Sequence, residues 1–146
     1  MGSRTKARAR VLQILYAWEL RGGNETLRLV QEEFSPRGLK PLDPEVQGYA
    51  DRLLSTIERE RPRIDGRLAA LAENWRLSRM TTVDRNILRI AAAEMLYLKE
   101  VPLRVSVHEA IRLAEWFGSD DSRRFINGVL DGLLREIEAN QPTDAR

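Results

Sequence analysis

Four cations crowd the first ten residues, Arg4, Lys6, Arg8 and Arg10, with no acidic side chain among them. Lysine and arginine at that density neutralise phosphates or an acidic surface. A second candidate group lies far along the chain in Ser122 to Leu134, SRRFINGVLDGLL. There Arg123 and Arg124 fall in the first turn of a predicted helix, where the helix dipole disfavours cations. An external anion would account for them, and so would pairing with Asp120 and Asp121, three or four positions earlier. Phe125 follows directly. Its spacing with Val129, Leu133 and Ile137 places it on an apolar stripe, and periodicity favours core packing over the alternative of a ring that stacks on a base. Tyr16 is the other aromatic candidate, with core packing as its alternative. Asn127 and Gly128 are poor formers of a helix interior, and a close approach by another backbone would explain the glycine.

The remaining residues offer no catalytic constellation. The chain has 146 residues, one histidine and no cysteine, which excludes disulfides, thiolate metal sites and cysteine nucleophiles. His108 stands alone in a predicted first turn, a position that fits a surface side chain. No glycine-rich phosphate loop, Ser/His/Asp set or metal-ligand spacing is present. No cofactor is implied. The net charge is only +2, but four of the 24 Lys and Arg residues lie in the first ten positions and none of the 22 Asp and Glu residues does. The rest of the chain is therefore slightly acidic, and the positive excess sits at the N-terminus. Cations with nearby aromatics, and no helix-turn-helix signature, favour single-stranded nucleic acid over duplex DNA. A structural protein that uses the basic face on an acidic partner, or on a second copy of itself, is the alternative. No apolar run approaches the length of a membrane span and no signal peptide is evident, so a cytoplasmic protein is expected.

These side chains need helices to position them. Thr5 to Leu20 reads as an amphipathic helix with Val11, Ile14, Leu15 and Trp18 inward, ended by Gly22-Gly23. Asn24 caps a short second helix carrying Leu27, Val30 and Phe34, which Ser35-Pro36-Arg37-Gly38 terminates. Asp43-Pro44 starts a third that should stop before Pro62, and Ile64, Leu68, Leu71 and Trp75 outline a fourth. Thr81 or Thr82 caps the most apolar segment, Val83 to Leu98, whose first turn, with Asp84 and Arg85, should be exposed. Residues 101–107 read as a loop because Pro102 argues against a strand. Ser106 and Glu109 form a capping box for the next helix, closed by Gly118. The last helix opens at Asp121 or Ser122 and fades after Ile137. About seven helices without strand pairing give an all-α single domain over residues 1–142, with flexible tails at 1–5 and 140–146.

Four segments, KARARVLQILYAWEL from Lys6, VDRNILRIAAAEML from Val83, VPLRVSVHEAIRLAEWFG from Val101 and DSRRFINGVLDGLL from Asp121, resemble the NusB family of bacterial transcription antitermination factors. FINGVLD is the most specific, close to the family's FVNGVLD. The resemblance implies two packed helical subdomains and a non-enzymatic role. It also implies binding, together with ribosomal protein NusE, to the single-stranded boxA element of ribosomal RNA leader transcripts, within the antitermination complex on RNA polymerase. Carried over residue by residue, it implies RNA contacts from Arg4, Lys6, Arg8, Arg10 and Tyr16, and from Asp121, Ser122, Arg124 and Phe125. Asp84 becomes a contact to NusE. His108 stands where the family has asparagine, and Glu115 replaces a common lysine, which weakens any RNA contact through that helix. The resemblance leaves monomer or homodimer open. It also extends to NusB-like domains of ribosomal RNA methyltransferases, for which this chain would be a fragment.

Overall fold

The computed structural model describes residues 2–34, 41–72 and 80–141. Among these, six helices account for the regular structure: α1 (Ser3–Leu20), α2 (Leu27–Phe34), α3 (Pro44–Leu71), α4 (Thr82–Tyr97), α5 (Leu103–Phe117) and α6 (Ser122–Ala139). No strand occurs among the described residues. Helices α1, α2 and α3 pack on one another, as do α4, α5 and α6, giving two helical subdomains. They join where α3 and α1 both lie against α4. One continuous apolar core runs through the junction, from Leu15 and Ile57 through Leu88 and Ile90 to Leu113, Ile126 and Leu130. As its broad apolar coverage suggests, α4 is central, with Ile87 to Met95 all buried.

The count of six rather than about seven has a specific cause. Pro62 does not end the third helix, and the expected third and fourth helices are one rod, α3, with Pro62 inside it. A proline there removes one amide donor and crowds the preceding turn, at a cost of about 3 kcal/mol. Ile57 lies before it and Ile64 and Leu68 after it, all fully buried on one stripe. Burial of three such side chains contributes about 1.5–3 kcal/mol each, enough to carry the helix through. Pro62 itself faces outward. Trp75 and the Ser35–Gly38 terminator lie outside the described residues.

Three helix starts also differ from expectation. At the N-terminus, α1 already begins at Ser3, and Thr5 is buried, its hydroxyl donating to Glu109; residues 3–5 are thus helix rather than tail. Thr26, not Asn24, stands at the start of α2, where its hydroxyl accepts from Leu29 N at 3.4 Å and Glu58 Oε2 accepts from Leu27 N at 2.6 Å. Helix α5 begins at Leu103 behind Pro102, so five of the seven residues in the expected 101–107 loop are helical. The Ser106–Glu109 capping box does not form, because both side chains turn inward to partners on other helices. His108 therefore sits in the second turn, exposed. The other boundaries match: Thr81 caps α4 by accepting from Asp84 N at 3.1 Å, and Gly22 and Gly23 leave α1 with φ of 98° and 70°. Asn140 and Gln141 are exposed beyond α6.

Candidate nucleic-acid interface

The N-terminal cations part company in three dimensions. Lys6 points to solvent. Lys6, Gln13 and Leu20, spaced by seven and all exposed, mark the outer face of α1, and Tyr16, 41% exposed, stands on it. Lys6 and Tyr16 are thus about 15 Å apart along one face. Arg4 is exposed and lies over the Tyr49 ring of α3, 4.9 Å from its centroid. A guanidinium held by a ring face keeps its N–H donors directed outward. Arg10 is half-buried beside α2 and α3, lining a groove with Arg28, Arg52, Asp51 and Glu58.

Arg8 is a correction. It is 3% exposed, with Nε 2.7 Å from Glu94 Oε2 and Nη1 3.0 Å from Glu109 Oε1. Burial by itself would lower its pKa, but Glu94 above all, with Tyr49 and Glu109, raises it above the ordinary arginine value. It is a fixed internal cation, and no phosphate reaches it without breaking that pair. The Glu94 carboxylate, 1% exposed, also accepts from Tyr49 Oη and from Ser106 Oγ at 2.9 Å, so α1, α3 and α5 all meet on this one α4 side chain. Burial, reinforced by Glu94, pushes the Tyr49 phenol well above its usual range and keeps it protonated as a donor. Sequence reading missed this centre. Its signal was a lone acid inside the apolar run Ile87 to Met95.

The second group gathers at the α5–α6 turn. Arg124 and Asp121 are exposed as expected. Ser122 is buried, and its Oγ accepts from Ser119 N at 2.9 Å, so it builds the turn and leaves no hydroxyl free at the surface, a correction to its place among the RNA contacts. Asp121 precedes α6 without making a side-chain cap. Phe125 is half-buried against the core instead of forming an exposed edge, which matches its periodicity with Val129 and Leu133. Asn127 is exposed. A Cβ placed on Gly128 would meet nothing within 4 Å, so among the described residues no other element's backbone approaches it. Close approach occurs instead at Gly118, where a Cβ would lie 2.5 Å from Ser122 Oγ and 2.8 Å from the Ala114 carbonyl. Gly118→Ala should therefore destabilise by about 1–3 kcal/mol, read from the urea midpoint; an unchanged midpoint would mean that the turn relaxes freely.

Helix α5 connects the two groups. At one end Glu109 takes Thr5 and Arg8 from the start of α1; at the other Glu115 Oε2 lies 3.7 Å from Arg123 Nη1 of α6. Six residues of helix separate these anchors, about 9 Å. The start of α1 and the start of α6 thus flank a short span of one helix. Asp84 lies elsewhere and is 7% exposed, with an Oδ1 that has no hydrogen-bond partner, while Arg85 turns to Glu19. The expected exposed first turn of α4 is therefore absent.

The NusB family model matches residues 5–135. The transcription antitermination protein NusB of Sorangium cellulosum is 38% identical over 137 residues, covering 94% of this chain and 95% of that protein. The NusB of Chloroherpeton thalassium is 36% identical over 137 residues, and there the chain spans 64% of the relative's length. Among solved structures, T. maritima NusB superposes with a TM-score of 0.83 at 34% identity, covering 91% of both chains. A structure of antitermination factors NusB and NusE in complex with double-stranded RNA superposes with 0.80 at 26% identity, covering 92% of this chain and 97% of that one. With the helices, their order and the family signature in agreement, the chain belongs to the NusB family of transcription antitermination proteins, which are not enzymes.

Proposed function

We propose that this chain is an RNA-binding antitermination factor that, with a NusE-type ribosomal protein, holds the single-stranded boxA element of ribosomal RNA leader transcripts within the cytoplasmic antitermination complex on RNA polymerase. The observation that carries the reading is the placement of exposed Arg4 and Lys6 on one side of α5 and exposed Arg124 on the other. Tyr16 on the outer face of α1 supplies a ring for stacking, exposed Asp121 lies near Arg124, and Arg10 would reach the strand from the groove beside α2 and α3. Arg8 and Ser122 support it from inside, and Phe125 from the core edge. The relative solved with NusE and RNA supports both partners. Because the RNA in that complex is double-stranded, a duplex is the second reading.

The test compares a boxA-like single strand, its scramble and a duplex form, each with and without NusE. The expected result is preferential binding of the single-stranded boxA sequence, tighter with NusE; equal binding of boxA and scramble would overturn sequence recognition, and preference for the duplex would select the second reading. If Arg4, Lys6, Arg10 and Arg124 each meet a phosphate, log K should fall with log salt at a slope of about −3 for a single strand. Arg124→Ala should reduce that slope by about 0.7, since one phosphate contact is lost. Arg124→Ala with the wild-type slope would remove Arg124 from the interface. Sedimentation of the free chain distinguishes monomer from homodimer.

A further inference from the structure

On the outward face of α5, two turns beyond Glu109, stands a large aromatic that the functional reading has not used. Trp116 is 47% exposed, and Phe117 beside it is 44% exposed. Glu109, Arg112 and Trp116 are spaced by three and four residues, so they share one side of the helix. Glu109 sits under the start of α1, where it takes Thr5 and Arg8, and its Oε2 lies 3.5 Å from Arg112 Nη1. At the other end Glu115 meets Arg123, at the start of α6. Trp116 therefore stands one turn from Arg112 on α5 and next to the residue that meets Arg123, beside the group at the start of α6.

We propose that Trp116 is a base-stacking platform for single-stranded RNA, placed at the α6 end of the path between the start of α1 and the start of α6; this rests on the RNA-binding reading above. An exposed indole face leaves apolar surface in water that a nucleobase would cover, and stacking of this kind tolerates any base. Both flanking contacts are long, 3.5 and 3.7 Å, and their arginines are solvent-exposed, so each arginine is held weakly. Arg112 and Arg123 are thus free to follow the strand on either side of the ring. The charge here is balanced: Arg112, Arg123 and Arg124 stand against Glu115, Asp120 and Asp121, all of them exposed. Contact at Trp116 is consequently carried by the ring, with little net phosphate attraction. That accommodates Glu115, whose negative charge would count against a purely electrostatic contact through α5.

The test measures binding of a labelled boxA-like single strand to full-length wild type, Trp116→Ala and Trp116→Phe across a salt series. Trp116→Ala is expected to weaken binding about tenfold at fixed salt with the slope unchanged, and Trp116→Phe to recover most of the loss. RNA should quench tryptophan emission in the wild type, and Trp116→Phe should lose most of that quenching while still binding. Wild-type affinity in Trp116→Ala would overturn this inference alone, as would a loss seen only when NusE is present, which would assign the ring to the protein partner. A wild-type chain that binds no single strand would overturn the RNA reading and this inference with it.

Discussion

Glu94→Ala is expected to destabilise the protein by about 3–5 kcal/mol, because it strands a buried cation. The carboxylate is 1% exposed and satisfies three donors from three helices: Arg8 Nε, Tyr49 Oη and Ser106 Oγ. Without it the Arg8 guanidinium, 3% exposed, keeps only Glu109, and two buried hydroxyls lose their acceptor. At about 2–4 °C per kcal/mol for a domain of this size, the melting temperature should fall by about 10 °C. Glu94→Gln should cost less, since an amide oxygen still accepts while the charge is lost. The informative variant is the double replacement Arg8→Met with Glu94→Leu. If the single-variant cost comes from an unpaired charge rather than lost packing, this hydrophobic pair should restore much of the stability. A double variant as unstable as Glu94→Ala would show that the network's geometry, and not its charge balance, holds the four helices. The effect reaches the surface as well, because the Tyr49 ring that Glu94 fixes lies under Arg4.

That network also explains what could be read from the chain and what could not. The helices were legible wherever periodicity and caps agreed, as in α1 with its stripe of Val11, Leu12, Ile14 and Leu15, and in α4 behind Thr81. They were misread where a local rule met a tertiary partner. Ser106 and Glu109 have the spacing of a capping box, yet each finds a buried partner, and α5 starts three residues earlier. Pro62 has the local chemistry of a stop, yet the stripe on both sides of it is buried. Arg8 shares its helical phase with Leu12 and Leu15, which already points it inward. Its type suggested a phosphate contact, because the acids that make burial tolerable lie 86 and 101 residues away in sequence. Trp116 carried no reading at all: it lies off the buried α5 stripe of Ala110, Leu113 and Ala114, and only the packing of α5 shows how much of its ring is left bare.

The second large effect lies on the other side of α1. Arg89, 6% exposed, makes a two-pronged contact to Asp65, Nε to Oδ1 at 2.9 Å and Nη2 to Oδ2 at 3.0 Å, and reaches Glu19 Oε1 with Nη1 at 2.6 Å. One side chain of α4 thereby ties α3 to α1, with the Trp18 ring 5.8 Å away. Arg89→Ala removes the cation from two partly buried carboxylates and should cost about 3 kcal/mol, near the lower end for breaking a buried pair. Arg89→Lys should fail to rescue most of this loss, because an ammonium cannot reproduce the planar fork. Acid provides an independent test. Burial raises the Glu19 pKa, but hydrogen bonds and charge from Arg85 and Arg89 outweigh it, and the folded value lies below the ordinary 4.5. A depressed carboxylate contributes stability that is fully present above the unfolded pKa and is lost as pH falls through the folded one. Wild-type stability should therefore decline as the pH drops below about 4.5, and Glu19→Gln, less stable at neutral pH, should decline less steeply there. The comparison is a series of urea midpoints from neutral into acid. Parallel curves for wild type and Glu19→Gln would remove Glu19 as a source of the acid sensitivity.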